Sequence, residues 1–325
     1  MAAEAGIHPL ILDTPFAVGT VNTYLIEDDP LTLVDCGPNT ATELGQIEVL
    51  LAERGHALTD IGLILVTHQH FDHMGLARVL TARSGAELGC IDVLAPTLAN
   101  WSDYSVATDE YAFELMLRHG VEPHVAEALR AVANVTRGYG ASVSADRLLP
   151  ADSLVRLRDR ELAVLHRPGH SPSDTVFHDA ARGIAFLGDH LLARVSPNAL
   201  VNLPLTGKVT ERPEPLLKYR RSLLKTRELD IKVGLAGHGV PVVNHRELID
   251  QRLDAQVRRA ENFYELLADG PRSAHELASA RWGRVAVTQA YLTLSEVLGH
   301  LGLLIADGRV LEDASAEIVR FVRAA

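Results

Sequence analysis

The sequence predicts an α/β fold with sheets between helices, followed by a small helical module at the C-terminus. Short β-like runs alternate with helical ones from about Ile7 to Leu94, and strand patterns return after residue 150. After about Asn244, helical patterns dominate. A chain of 325 residues is long enough for one large domain and a smaller one. We therefore expect a layered domain over residues 1–245 and a second domain over residues 246–325.

The first part of the large domain carries strand and helix patterns in regular alternation. Predicted strands hold runs of apolar residues, whereas predicted helices place apolar side chains three or four positions apart. The predicted order is a strand over 21–26, a turn at 28–30, a strand over 31–35, a helix over 40–54, a strand over 61–66 and a helix over 76–83.

Residues 97–145 interrupt this alternation with a helical insertion. Helices are predicted over 111–117 and 125–135, separated by Gly120 and Pro123. Because the insertion follows a strand and a helix that carry reactive side chains, it is a candidate lid, and a packing elaboration is the alternative. Strand patterns then return at 154–157, 162–166, 175–178, 184–187 and 233–236.

The C-terminal module combines helices with a short predicted hairpin. One long helix is predicted over 246–267, and shorter helices over 273–280 and 287–301. Residues 303–311 are predicted to form a strand, an Asp-Gly turn and a second strand. Helices followed by such a wing are typical of a winged-helix-like module.

Composition disfavours several classes of partner. The formal charge of −11 disfavours nucleic acid and anionic membranes, which carry the same sign, although a local basic groove remains open. Residues 1–20 contain no Lys or Arg, and no apolar run is long enough to cross a bilayer. We therefore expect a cytoplasmic protein without membrane attachment. Cys36 and Cys90 are expected to be buried and reduced.

A cluster of histidine and aspartate directly follows the predicted strand over 61–66. It contains His68, His70, Asp72 and His73 within six positions. Imidazole and carboxylate ligands suit zinc, iron and manganese. In a turn that leaves a strand, His68 and His70 can point one way while Asp72 and His73 point another. The cluster therefore predicts about half of a site for two adjacent metal ions.

Three later loops can complete this site. Each loop lies at the end of a predicted strand and places a ligand-type side chain directly after a glycine. Because glycine lets backbones approach closely, this arrangement suits a crowded metal site. The side chains offered are His170, Asp189 and His238.

The ordered set formed by the cluster and the three loops resembles the metallo-β-lactamase superfamily. Asp35, at the end of the predicted strand over 31–35, matches an early aspartate of that family. The resemblance covers about residues 7–245 and implies an αββα sandwich with metal ions at one edge, between the two sheets. It also implies that one ion is held by His68, His70 and His170 and that the second is held by Asp72, His73 and His238. In addition, it implies that Asp189 bridges both ions and that Asp35 orients a ligand from behind.

The implied activity is hydrolysis with two divalent ions. Zinc is the favoured metal, and iron or manganese also suits histidine and aspartate ligands. Two adjacent ions lower the pKa of a bridging water and make hydroxide available near neutral pH. Asp72 is the candidate to orient this nucleophile and pass its proton to the leaving group. The C-terminal module resembles that of the lactamase-beta-2-like branch, and we expect a small thioester, ester or lactone as substrate, as for relatives of glyoxalase II.

Other functions remain open at this stage. A mononuclear iron sulfur-dioxygenase would leave some of the seven predicted ligands unused. A DNA-binding regulator is disfavoured because residues 271–325 contain about six basic and six acidic residues. This module is expected to pack against the catalytic domain or a twin subunit in a homodimer. An endoribonuclease or phosphodiesterase acting on RNA would draw on a basic face that consists of Lys208, Arg212, Lys218, Arg220 and Arg221.

Overall fold

The structure is a computed structural model that describes residues 2–16, 18–206 and 213–324. Within these residues, two large sheets pack face to face and helices cover their outer surfaces. Side chains from both sheets share one core, in which the rings of Tyr24 and Phe186 lie 5.7 Å apart. This αββα arrangement confirms the predicted fold class.

The first sheet has six strands that lie side by side in chain order. The first three pair in antiparallel fashion, and the third to the sixth pair in parallel. Every residue of the second and third strands is buried, because the other sheet covers one face and helices cover the other. The strands are β1 (Ile7–Leu12), β2 (Val21–Ile26), β3 (Leu31–Val34), β4 (Ile61–Val66), β5 (Glu87–Ile91) and β6 (Arg147–Leu149).

The second sheet has five strands in which neighbours along the chain are also neighbours in space. Its first four strands form an antiparallel meander, and the fifth pairs in parallel with the fourth. All five were predicted to within two residues at each end. They are β7 (Leu154–Arg156), β8 (Glu161–His166), β9 (Thr175–Asp179), β10 (Ile184–Gly188) and β11 (Val233–Ala236).

Four helices accompany the first sheet. The first begins after Thr40, whose side chain accepts hydrogen bonds from the backbone N–H groups of Thr42 and Glu43. Ile47 and Leu51 of its apolar stripe are fully buried. The helices are α1 (Ala41–Ala52), α2 (Phe71–Met74), α3 (Ala77–Ser84) and α4 (Ala95–Ala99).

The insertion forms two helices, α5 (Trp101–Arg118) and α6 (Pro123–Thr136). Both were predicted, but α5 begins ten residues earlier than the predicted bound of 111. Its buried Met116 belongs to the same hydrophobic core as Phe263 and Leu301 of the C-terminal region. The insertion is therefore packed into the C-terminal helices, as a packing elaboration would be. Movement of the insertion as a lid stays a prediction.

The remaining helices belong to the C-terminal half of the chain. The long predicted helix over 246–267 is confirmed to within one residue. A helix that precedes β11 along the chain was not predicted. The helices are α7 (Pro215–Arg227), α8 (His245–Leu266), α9 (Ala274–Trp282), α10 (Val285–Thr288) and α11 (Ala290–Ala306).

The predicted wing over residues 303–311 is wrong in position. Residues 303–306 continue α11, and the helix ends where Asp307 N–H donates to the Leu303 carbonyl. Gly308 then adopts a left-handed φ of 69°, which is typical of a helix C-terminus. The Asp-Gly pair therefore ends a helix instead of turning a hairpin. The observed hairpin lies later, between β12 (Val310–Asp313) and β13 (Arg320–Arg323).

No helix in the described part of the chain combines the length and the apolar character that a membrane crossing requires.

Candidate metal centre

All seven predicted ligands lie together at one edge of the sandwich. The cluster His68 to His73 follows β4, and His170 lies in the loop between β8 and β9. Asp189 directly follows β10, and His238 lies just after β11. The ends of four strands therefore position side chains that are up to 170 positions apart in the sequence.

Three histidines form the first ligand group. Nε2 of His68 lies 3.0 Å from Nδ1 of His70, which in turn lies 2.9 Å from Nε2 of His170. The three nitrogens are all within 4.8 Å of one another, as donors to one ion must be. His70 thus offers Nδ1, whereas His68 and His170 offer Nε2.

Asp72, His73 and His238 form the second ligand group. Oδ2 of Asp72 lies 3.4 Å from Nε2 of His238 and 3.9 Å from Nε2 of His73. These atoms also lie within 4.8 Å of one another. The ligand atoms of His68, His73 and Asp189 also lie within 4.8 Å of one another, so the two groups adjoin. The assignment of the ligands to two separate ions stays a prediction.

The carboxylate of Asp189 lies between the two groups. Its Oδ2 is 3.6 Å from Nε2 of His170 and 3.4 Å from Nε2 of His238, while Oδ1 is 3.5 Å from Nε2 of His73. One carboxylate therefore approaches ligands of both groups, which is the position that the resemblance implied for a bridging ligand.

Hydrogen bonds to the far side of the rings fix their orientation. His170 Nδ1 lies 2.9 Å from the Asn198 carbonyl, and His238 Nδ1 lies 2.7 Å from the Thr20 carbonyl. Because a carbonyl only accepts, each Nδ1 carries a hydrogen and each Nε2 faces the site, where it is the nitrogen that a metal ion would bind. This is the arrangement by which partners outside a metal site orient its histidine ligands.

Asp35 orients two further rings. It accepts from Nδ1 of His73 at 2.8 Å, and from the Thr67 backbone N–H and hydroxyl at 2.8 Å each. The Thr67 hydroxyl oxygen, 3.0 Å from Nδ1 of His68, is then free to accept from that ring. Asp35 has a φ of 62°, an uncommon conformation for a residue other than glycine. Asp35 therefore lies behind the candidate ligands, and its effect on a bound ion stays a prediction.

Two of the glycines that precede ligands are required by close contacts in the site. A Cβ added to Gly237 would lie 2.4 Å from Oδ1 of Asp189 and 2.6 Å from Cε1 of His73. A Cβ added to Gly188 would lie 2.7 Å from the Thr67 hydroxyl oxygen. Both contacts are far closer than carbon atoms tolerate, which confirms the prediction that glycine is needed there.

Sequence reasoning missed Tyr219 of α7, a fully buried residue that supports two ligand loops. A Cβ added to Gly169, the residue before His170, would lie 2.5 Å from Tyr219 Cβ. The Tyr219 hydroxyl also donates to the carbonyl of His190, the residue after Asp189, at 2.7 Å. Nothing local in the sequence marks Tyr219, because its role depends on contacts with distant loops.

The electrostatics of the site differ between its two groups. Burial, helped by the neighbouring imidazoles, lowers the pKa of His68 and brings the pKa of His70 to about 3. Burial also opposes protonation of His238, but Asp189 and Asp72 raise its pKa to about 10. His68 and His70 are thus neutral at pH 7, whereas the carboxylates beside His238 favour a second proton on its ring, which a bound cation would displace.

The residues fit a metal ion on independent grounds. Nε2 of His73 and Oδ1 of Asp189 are buried and have no hydrogen-bond partner among the described residues. Buried polar atoms of native proteins are normally satisfied, so two unsatisfied ligand-type atoms that face each other at 3.5 Å indicate an ion between them.

The predicted basic face is assembled only in part. Lys218 and Arg221 are exposed on α7. Arg220 instead donates to the Leu253 carbonyl and to Oε1 of Gln256 on α8. Lys208 and Arg212 lie outside the described residues.

An αββα sandwich that gathers His and Asp side chains from four strand ends defines a class of metal-dependent hydrolases. The profile of the metallo-beta-lactamase superfamily matches residues 17–238, and the chain belongs to this superfamily. Its members bind metal ions, usually zinc. The probable metallo-hydrolase YqjP of Bacillus subtilis (strain 168) is 31% identical over 304 residues, which cover 90% of each chain. The metallo-beta-lactamase family protein TTHA1429 from Thermus thermophilus has a TM-score of 0.81 and 27% identity, over 98% of this chain and 99% of that one.

Two shorter similarities involve enzymes with named substrates. Hydroxyacylglutathione hydrolase of Cereibacter sphaeroides is 39% identical over 88 residues, which cover 25% of this chain and 34% of that enzyme. Atrochrysone carboxyl ACP thioesterase of Aspergillus fumigatus is 28% identical over 140 residues, or 43% of this chain and 39% of that enzyme.

Proposed function

We propose that the chain is a dinuclear metallohydrolase that cleaves a small thioester or ester. The observation that carries this proposal is the pair of ligand groups with Asp189 between them. Each group would supply three donor atoms to an ion, and the carboxylate of Asp189 could supply a further donor to each, which would match the four ligands that zinc prefers. Iron and manganese suit the same nitrogen and oxygen donors. A mononuclear iron site would leave one group without a role.

Two ions held here would supply an activated water and stabilise the negative charge that develops on the acyl oxygen. Asp72 is the residue of the chain that is best placed to handle the proton. Burial opposes its ionisation, but His73 and His238 lower its pKa below the usual value, so it is a carboxylate at neutral pH. It can therefore orient the attacking water and carry the proton toward the leaving group.

Two observations favour an acyl substrate. The names of the two enzymes with shorter similarities describe acyl substrates, and both matches cover less than half of this chain. The metal centre also opens onto a cavity with largely apolar walls, which includes Phe71 and Trp101. Such a cavity suits the acyl part of a small molecule better than a polyanionic RNA strand.

The proposal is tested by metal analysis together with a substrate panel. Purified protein loaded with zinc, iron or manganese is expected to hold about two ions per chain and to release free thiol from acyl thioesters. His68→Ala combined with His70→Ala should abolish the activity, because two of the three donors in the first group disappear. His166→Ala is a matched control, since this histidine bonds the Pro172 carbonyl and belongs to neither group. Cleavage of single-stranded RNA without thioester or ester cleavage would overturn the proposal.

A further inference from the structure

A cavity of about 190 Å³ lies directly beside the first ligand group. His70 forms part of its wall and also belongs to the first ligand group, so the cavity adjoins that group. The insertion contributes Trp101 and Tyr104 from α5, and Tyr291 from α11 closes the cavity from the C-terminal side. Three parts of the chain that are distant in sequence thus line one space next to the candidate metal centre.

The hydroxyl groups of the two tyrosines in the wall form hydrogen bonds to backbone carbonyls. The hydroxyl of Tyr104 donates to the Leu203 carbonyl at 3.1 Å, and that of Tyr291 donates to the Val201 carbonyl at 2.8 Å. These bonds anchor the loop around residues 200–203 and leave the ring faces to line the cavity. The space therefore offers mainly carbon surface, which favours an apolar occupant.

One ion pair lies in the wall, and its two members neutralise each other. Nε of Arg137 donates to Oδ2 of Asp109, and both side chains are more than two thirds buried. Because the carboxylate of Asp109 already neutralises the guanidinium, a second carboxylate brought by a ligand would be a buried charge without a partner. The cavity should therefore discriminate against acyl groups that end in a carboxylate.

We propose that this cavity is the acyl subsite of the enzyme and that it takes a neutral, apolar acyl group of about six carbons or a phenyl-substituted acyl group. The size follows from comparison with an apolar cavity of about 150 Å³, which holds a benzene molecule. This inference rests on the proposed function, since an acyl subsite has a meaning only if the metal centre cleaves acyl compounds.

The test measures kcat/KM for a series of thioesters of one small thiol, from acetyl to dodecanoyl, with adipoyl as the charged six-carbon acyl group. The value should rise about fourfold per added methylene, which is the factor expected for burial of one such group, up to about hexanoyl. Longer chains should gain nothing further, because the cavity is then filled. Adipoyl should fall at least tenfold below hexanoyl because its second carboxylate lacks a partner.

Two matched pairs of variants locate the effect. Ala133→Leu fills the cavity from α6, whereas Ala131→Leu makes the same change at an exposed position of that helix. Thr108→Leu and Ala107→Leu form the corresponding pair on α5. The cavity variants should lose at least tenfold in kcat/KM for hexanoyl and about twofold or less for acetyl, because a filled cavity excludes the longer chain. The exposed variants should stay within about twofold of the parent for both substrates.

The possible outcomes separate the two proposals. If the protein with two ions cleaves no thioester or ester, the proposed function fails and the subsite with it. If it cleaves them with a flat chain-length profile, the proposed function stands and the acyl subsite is refuted. The same refutation follows if either cavity variant is correctly folded, holds two ions and loses acetyl and hexanoyl activity equally.

Discussion

Asp35→Asn removes one acceptor oxygen from a carboxylate that accepts three hydrogen bonds. These come from His73 Nδ1 and from the backbone and hydroxyl of Thr67. Asparagine has nearly the same shape and tolerates the left-handed φ of 62° found here, so the backbone should be preserved. The amide NH₂ that replaces one oxygen cannot accept from His73 Nδ1. The ring should then favour the tautomer with hydrogen on Nε2, which cannot bind a metal ion.

The expected magnitude follows from losing a partner that orients a ligand. Such changes weaken metal binding by about 10- to 100-fold, which corresponds to about 1.4–2.7 kcal/mol. The group of Asp72, His73 and His238 should be affected most, because His73 contacts Asp35 directly. The group with His68 should be affected less, because its Nδ1 contacts the Thr67 hydroxyl instead of Asp35.

Competitive titration with a chromophoric chelator resolves the two binding constants. Asp152→Asn is the matched control, because Asp152 is an exposed aspartate with a φ of 63° and belongs to neither ligand group. It should bind both ions as the parent does. If Asp35→Asn also binds both ions with unchanged affinity, the carboxylate does not set the tautomer of His73, and the role assigned to it is wrong.

Three further predictions concern close contacts, buried support and acid stability. Gly237→Ala should prevent binding of a full pair of ions, because its Cβ would lie 2.4 Å from Asp189 Oδ1. In the control Gly138→Ala the new Cβ has no atom within 4 Å. Elemental analysis should therefore find the normal metal content in this control. Tyr219→Phe should lower the free energy of unfolding in urea by about 1–3 kcal/mol, because the buried His190 carbonyl loses its donor; an unchanged value would contradict this support. Burial lowers the pKa of His300 to about 3, so below pH 6.5 the unfolded chain binds a proton that the folded chain does not. The free energy of unfolding should therefore fall with decreasing pH, and at pH 5 His300 should account for about 2 kcal/mol of the loss. His300→Gln should remove this part of the pH dependence, and an unchanged pH dependence would contradict the assignment to His300.

The fold was largely predictable because its strands carry strong local signals. The continuous apolar run of β4 and the turn residues between β2 and β3 identify their elements without reference to the rest of the chain. The same local reasoning failed at Asp307-Gly308, because an Asp-Gly pair suits a hairpin turn and a helix end equally well. Only the packing of α11 against its neighbours decides between them, and Leu301 and Leu304 are buried there. The sequence therefore predicts elements well where one local conformation is favoured and poorly where tertiary contacts choose between two.

The position of the seven candidate ligands was predictable for a related reason. Side chains that follow strands of a sandwich meet at the same edge, so the order of strands already places the cluster near the three later loops. Tyr219 and the walls of the cavity have no such marker. Their roles arise from contacts between α5, α11 and loops that are far apart in sequence, which no periodicity or spacing encodes.

This difference in origin has a consequence for how the protein responds to mutation. The ligands lie on strand ends of the sandwich, whereas most of the cavity wall belongs to the insertion and to α11. His70 contributes to both, so the proposed metal centre and the proposed acyl subsite meet at one residue. Substitutions in α5, α6 or α11 should therefore change the preferred acyl group while leaving metal content intact. Substitutions behind the ligands, as at Asp35, should change metal affinity while leaving the chain-length preference of the remaining activity unaltered.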